Sequence, residues 1–204
     1  MSKLDLRSIG EILRYVAHEG ARVEQILQDI NQFGVALARA EACTFWIRDE
    51  DYITVRENTA YPVCRTRRVP GARLQIVEAD RPGLTAYMAY QFMHRPSEHK
   101  CFNFSAEAIK SHPAYRQADK EPTFNPYFPF STTSLSILCA PVRINSEFVG
   151  MIKAENRFAD DGRPSGQEFT ETECSEFVEY GNILGTTVLS GIRDAILSDI
   201  GTQR

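Results

Sequence analysis

The spacing of apolar residues changes register several times along the chain, and each change marks an element. Between residues 4 and 40, Leu6, Ile9, Leu13 and Val16 recur at alternating steps of three and four, and the phase resumes after Gly20 with Val23, Leu27, Ile30 and Leu37. This spacing predicts helix. The seam is interrupted at Gly20 and again at Gly34, and a break or kink is expected near His18–Ala21, because glycine inside a helix costs about 1 kcal/mol against alanine. Two readings stand for this seam: amphipathic helices packed on their own sheet, or a helix pairing with a second chain. The narrowness of a strict three-four repeat favours the second. Cys43–Arg48 reads as a strand that turns at Asp49-Glu50-Asp51 into the alternating run Tyr52–Arg56, which makes a hairpin. Leu74–Val77 predicts a short strand. A turn at Asp80–Gly83 follows, then a helix over Leu84–Phe92 with Leu84, Met88 and Phe92 on one side.

The strongest pattern runs from Ser134 to Asn156. Leu135, Ile137, Leu138, Cys139, Val142 and Ile144 form one arm, Phe148, Val149, Met151 and Ile152 the other, and Asn145-Ser146-Glu147 is a turn of hairpin length. The first arm is apolar on nearly every residue, as in a strand covered on both faces. Pro141 has no N–H for a ladder, so a bulge or the end of pairing is expected near it. Gly150 leaves room for a close approach, by another element or by a ligand. After a polar loop at 157–168, Thr170-Glu171-Thr172-Glu173 is a capping box. It opens a final helix to about Ile200, whose stripe is Phe177, Leu184, Val188, Ile192 and Ile196. Gly181, Gly185 and Gly191 weaken this helix, so packing must hold it, and they allow another helix to come close.

Residues 93–133 carry no regular period. Three of the four histidines (His94, His99, His112) lie here with Cys101, seven aromatics and five prolines. Ser105 is a suitable N-cap for a turn of helix to Lys110. A loop this long in a small domain is functional or disordered, and one so rich in aromatics is not disordered. It is expected to fold over the sheet as a lid above a small-molecule cavity.

Candidate catalytic chemistry is sparse. His94, His99, Cys101 and His112 follow the spacing H-x4-H-x-C-x10-H, which matches no standard zinc pattern, so no metal is assigned. Cys101 beside Lys100 and His99, and Cys64 among Arg65, Arg67 and Arg68, have surroundings that favour a thiolate and oxidation sensing, but no orienting third group is visible. The arginine loop itself reads as solvated. Phosphate-loop, dinucleotide and nucleophile-elbow motifs do not occur. No enzymatic constellation is identified. A net charge of −4 and a pI near 5.6 argue against a nucleic-acid binder. No run approaches the roughly 20 apolar residues of a membrane span, and the first residues lack a signal-peptide core. Five widely spaced cysteines, none in a C-x-x-C pair, suit the reduced cytoplasm.

Cys139-Ala140-Pro141-Val142 followed by Val149-Gly150-Met151-Ile152-Lys153-Ala154-Glu155-Asn156 resembles the core hairpin of GAF domains. The order helix, hairpin, glycine turn with short helix, variable aromatic loop, "Ala-Pro-Val" hairpin, Glu-Asn and the capped entry Phe169–Glu173 resembles that family over residues 22–195. The resemblance implies an α+β fold: an antiparallel sheet of about six strands, terminal helices on one face and a ligand pocket under the long loop on the other. Residues 1–21 would be a helical extension, suited to dimerisation, and 22–200 a single domain. It further implies a cytoplasmic sensor that binds a small molecule and signals through the flanking helices of a homodimer to a partner protein. A chain that stops soon after Ile200 reads as a stand-alone sensor or the sensory part of something longer. The cyclic-nucleotide signature of the family is met only loosely, by Asn156-Arg157 and Phe169…Glu173-Cys174, although Arg157 and Glu173 can form the equivalent ion pair. The absence of a Cys-His dipeptide argues against a bilin. The cysteine-free turn Asp80–Thr85 argues against the subset that reduces free methionine sulfoxide. The ligand is left open. The expected lining is Tyr87, Tyr115, Phe124, Tyr127 and Ser136, with Cys101 or His112 near the mouth. The rival readings are a cysteine-based redox sensor or reductase on the same fold, and a dimerisation scaffold with a filled pocket.

Overall fold

Pairs of alternating runs separated by tight turns have one economical solution, an antiparallel sheet, and the chain adopts it. A computed structural model describes residues 23–55, 71–78, 83–115, 128–131 and 133–189. The elements are α1 (Val23–Ala38), β1 (Ala40–Asp49), β2 (Tyr52–Val55), β3 (Ala72–Gln75), α2 (Leu84–His94), β4 (Phe102–Phe104), α3 (Ala106–Ser111), β5 (Ile137–Ile144), β6 (Glu147–Arg157) and α4 (Glu171–Ile183). The strand order is β3-β2-β1-β6-β5-β4 and every pairing is antiparallel. The expected α+β architecture, six strands with helices, is therefore present.

β6 is central because it is the longest run flanked by apolar neighbours, and it is buried along nearly its whole length. Asn145 and Ser146, with φ of 49° and 71°, make a two-residue turn into it, which suits polar residues that tolerate the left-handed region. Val142 pairs with Gly150 but Arg143 pairs with Phe148, so the ladder carries a bulge just past Pro141.

Two cores lie on opposite faces of the sheet. On one, Leu27, Ile30 and Leu37 of α1 and Phe177, Tyr180 and Leu184 of and after α4 cover Cys43, Phe45, Leu138, Ala140, Val142 and Ile152. Each fully buried side chain of this size contributes about 1.5–3 kcal/mol. The Tyr180 hydroxyl donates to the Ile30 carbonyl at 2.8 Å, and Asn31 Oδ1 accepts from the Phe45 amide at 2.7 Å. On the other face, Met88 and Phe92 of α2, with Phe102 and Ile109, cover Trp46, Ile53, Ile137, Cys139 and Met151.

Several glycines are explained by what approaches them. Gly34 does not break α1, which runs through it; a Cβ there would stand 2.4 Å from Cys43 Sγ, so the helix needs glycine to seat on β1. The neighbour of Gly181 and Gly185 is strand β5 rather than another helix, with the Pro141 and Arg143 carbonyl oxygens at 2.6 and 1.9 Å from the Cβ positions. Gly150 admits the Trp46 carbonyl of β1, at 2.3 Å. The pairing seam is also revised in part, since Leu27, Ile30 and Leu37 are spent on the chain's own core; Leu6, Ile9, Leu13 and Val16 lie outside the described residues. The segment read as irregular contains the edge strand β4, paired with β5 through Phe102 and Cys139. A three-residue strand is too short to show a period. β3 begins two residues earlier than the pattern suggested. α4 ends at Ile183 and passes into a wider turn over Leu184–Leu189. Ser105 does cap α3, accepting from the Ala108 amide, and Thr170 and Glu173 form the complete capping box of α4.

Candidate functional site

The bulge resets the alternation of β6. Met151 joins the α2-side core, while Ile152 and Ala154 join the α1/α4 core. The same alternation puts Lys153 and Glu155 on the α2 side beside Met151. Thr44 and Cys139 flank Lys153, and Ala42 and Ile137 flank Glu155, across the two ladders. Both charges are buried: Lys153 is 8% exposed and Glu155 3%.

Their contacts define a small polar cluster in an apolar face. Lys153 Nζ meets Glu155 Oε2 at 3.0 Å and approaches Thr85 Oγ1, in the first turn of α2, at 3.4 Å. It also stands 5.8 Å from the centre of the Trp46 ring. Ser134 Oγ donates to Glu155 Oε1 at 2.7 Å. Two groups remain unused. Trp46 Nε1 is buried without an acceptor, and Glu155 Oε2, despite its ion pair, receives no well-directed hydrogen bond among the described residues. The first turn of α2 has no side-chain cap, since its N-cap is Gly83 at φ 86°. Leaving a buried polar group unpaired costs about 1–3 kcal/mol, so these two atoms stand out in this cluster.

The adjoining Glu-Asn motif has a separate task. Asn156, at φ 63°, places Nδ2 within reach of Glu41 Oε2, Ser131 Oγ and Thr133 O at 2.8, 2.6 and 3.0 Å, and its Oδ1 accepts from the Leu135 amide at 2.6 Å. Buried Glu41 accepts from the amides of Phe130 and Ser131 and pairs closely with the Ser131 hydroxyl. These bonds pin the approach to β5, including Ser134 and hence its bond to Glu155. The Arg157–Glu173 ion pair is formed, at 2.7 Å, with both side chains mostly buried. Burial pushes the Glu173 carboxyl up, but the Arg157 guanidinium and the Thr170 amide and hydroxyl outweigh it and hold the carboxyl below its ordinary range.

The sequence-predicted lining divides. Tyr87, on α2, stands against the α2-side core with its ring 4.7 Å from His112 and 5.9 Å from Phe102. Tyr115 packs on the same core. His112 also meets Phe104 edge-on at 5.4 Å; its Nδ1 accepts from the Ala114 amide, and burial lowers its pKa. Tyr87, His112 and Tyr115 are thus brought together. Phe124 and Tyr127 lie outside the described residues. Ser136 shares the parity of Leu138 and Ala140, which belong to the α1/α4 core. Its hydroxyl accepts from the Arg157 amide and donates to the Ser165 carbonyl, so it ties down the 157–168 loop. Cys101 packs against the α1/α4 core beside Cys174, away from Tyr87 and His112. Burial raises its pKa, contrary to the depression expected from Lys100 and His99, and Cys174 is pushed up to about 12. His94 lies tilted against Tyr90, and His99 stacks on Phe102. Among the described residues no group of His, Cys, Asp or Glu is arranged to hold a metal.

Sequence reasoning missed Lys153, Glu155 and Trp46. The signal was present: two charges at alternate positions near the end of an otherwise apolar central strand must share one buried face.

No protein-family model and no curated protein matches the sequence. Solved structures do match. The GAF domain of an Acinetobacter phosphoenolpyruvate-protein phosphotransferase is 16% identical, with 93% of this chain and 92% of that one covered at a TM-score of 0.61. The GAF domain of the Coxiella burnetii phosphoenolpyruvate-protein phosphotransferase is 15% identical, covering 96% and 98% at 0.58. Free methionine-R-sulfoxide reductase from Neisseria meningitidis, solved in complex with its substrate, is 14% identical, covering 93% and 91% at 0.55. Among the described residues no helix is long and apolar enough to cross a membrane. With its strand order, its helix-covered face and its opposite face crossed by α2, this chain has the GAF-domain fold.

Proposed function

We propose that this chain is a sensory GAF domain that binds a small molecule on the α2 side of its sheet and reports occupancy through its flanking helices. The observation that carries this reading is the buried Lys153–Glu155 pair beside the unpartnered Trp46 Nε1. A buried ion pair is poor value as a stabiliser, since well-packed apolar residues do as well or better. A pair kept next to an unused donor and an uncapped helix start is therefore kept for a guest. The aromatic group Tyr87, His112 and Tyr115 borders the same core and supplies apolar wall. The Neisseria reductase shows that a protein of this fold can hold a small substrate.

α1 and α4 lie on the opposite face and hold the helix ends through which a dimeric sensor would speak to a partner protein. The four described cysteines are free thiols, which accords with the cytoplasm. Catalysis is not part of the proposal. Cys43, Cys101, Cys139 and Cys174 all have raised pKa values, caused chiefly by burial, and a thiol without thiolate is a weak nucleophile.

A thermal-shift screen of nucleotides, haem and central metabolites tests the reading. A true ligand at 100 times Kd adds about 2.7 kcal/mol of stability, and the effect should vanish in a Lys153→Met/Glu155→Leu variant. Stabilisation that survives in the variant, or none from any compound, would favour a dimerisation scaffold with a filled face.

A further inference from the structure

We infer that the guest is a zwitterion carrying an ammonium and a carboxylate close together, of the free α-amino acid class, held between Lys153, Trp46 and Glu155. The inference rests on the small-molecule reading above and deepens it.

Charge has to balance in a dry place. Lys153 and Glu155 together are neutral, and both are more than nine-tenths buried. A ligand with a single net charge would leave that charge unbalanced among apolar side chains, which is strongly unfavourable. A zwitterion adds one charge of each sign and keeps the cluster neutral. The unused groups fall on matching sides. Lys153 Nζ can donate three hydrogen bonds; Thr85 Oγ1 takes one, and Glu155 stands 3.0 Å away without receiving a directed bond, so Nζ keeps donor capacity for a carboxylate. Trp46 Nε1 is a second free donor, close to the same ammonium. The first turn of α2, which brings Thr85 to Lys153 and has no side-chain cap among the described residues, adds main-chain N–H groups and the positive end of a helix dipole. These suit a carboxylate. On the other side, Glu155 Oε2 lacks a directed hydrogen bond, which suits an ammonium. Ser134 fixes the other carboxylate oxygen, so Oε2 is presented in one orientation. A neutral sugar or base would leave one of the two ions without a better partner than it already has.

Isothermal titration calorimetry of the full chain with each proteinogenic L-amino acid, followed by the decarboxylated amine and the deaminated acid of the best binder, tests this. At least one amino acid should bind, and removal of either charged group should weaken binding by at least about tenfold, since a site built around a polar group rejects analogues that lack it. Lys153→Met should abolish the preference for the amino acid over its amine, and Glu155→Gln the preference over its acid. Circular dichroism establishes whether each variant is folded, and the analogue series on the unmodified protein decides the matter even if neither is. Equal affinity for an amino acid and either analogue would overturn the inference. So would failure of every amino acid while a nucleotide, haem or monocarboxylate stabilises the protein; that result would leave the sensory reading standing. If no compound of any class binds, both readings fall.

Discussion

If Lys153 and Glu155 are kept for a ligand, their removal together should cost the fold little, whereas removal of one should cost it much. With Glu155 3% exposed and Lys153 8%, Lys153→Met leaves a carboxylate in an apolar core with only Ser134 as partner. Breaking one side of a buried pair costs about 3–5 kcal/mol. For a chain of this size 1 kcal/mol shifts Tm by about 2–4 °C, so the fall should be roughly 6–20 °C. Glu155→Leu should behave similarly, through a stranded ammonium. The double variant Lys153→Met/Glu155→Leu removes both charges and keeps most of the volume, between Met151 and the Ile137 and Cys139 flanks. It should recover to within about 1 kcal/mol of the parent or exceed it. Urea unfolding of the four proteins, read by the fluorescence of Trp46, closes the double-mutant cycle and gives the coupling directly. Two single variants as stable as the parent would refute the reasoning, because the charges would then be solvated. A double variant as unstable as the singles would also refute it, because the pair would then be a structural need.

Four further outcomes follow from the packing and the titrations. Gly185→Ala places a methyl group 1.9 Å from the Arg143 carbonyl, a backbone atom with no freedom to yield; a loss of about 1–3 kcal/mol or more in urea unfolding is expected, and no loss would mean that the turn after α4 is not seated on β5. Arg157→Met leaves Glu173, 10% exposed by side chain, with only the Thr170 amide and hydroxyl as partners among the described residues, and should cost about 1–3 kcal/mol. Because the Glu173 carboxyl is held below its ordinary range, its stabilisation is present above about pH 4.3 and is lost as the pH falls through the lower folded value; the stability of Glu173→Gln should therefore depend less on pH in that window, and an unchanged profile would contradict the assignment. In a Cys64→Ser background, Cys101 and Cys174 should react with iodoacetamide at pH 7 far more slowly than free glutathione, since burial raises both thiols, Cys174 to about 12; rates at or above that of glutathione would revive the redox reading.

What the chain discloses without coordinates is governed by length and period. The hairpin around Asn145-Ser146 and the capping box at Thr170 are local, repeat a known chemistry and were legible. β4 was not, because Phe102–Phe104 is three residues long and is held by pairing with β5, 35 or so positions away. The glycines are legible only in part for a related reason: Gly34 looks like an interruption of the apolar seam and Gly185 like a weak point open to another helix, yet each is fixed by an atom of a distant strand, Cys43 Sγ or the Arg143 carbonyl. Ser136 and Cys101 each stand one residue before a strand, where residue type does not say which face they take: Ser136 bonds the Arg157 amide and the Ser165 carbonyl, and Cys101 packs on the α1/α4 core. Lys153 and Glu155 look like a solvated charge pair until the strand carrying them proves to be the centre of the sheet with both faces covered.

The most direct test is a crystal structure of the chain purified without denaturation and soaked with the compound that stabilises it most. A small molecule should lie on the α2 side of the sheet, within hydrogen-bond distance of Lys153 Nζ, Trp46 Nε1 and Glu155 Oε2. A face filled instead by the chain's own side chains, with Trp46 Nε1 and Glu155 Oε2 satisfied by them, would contradict it.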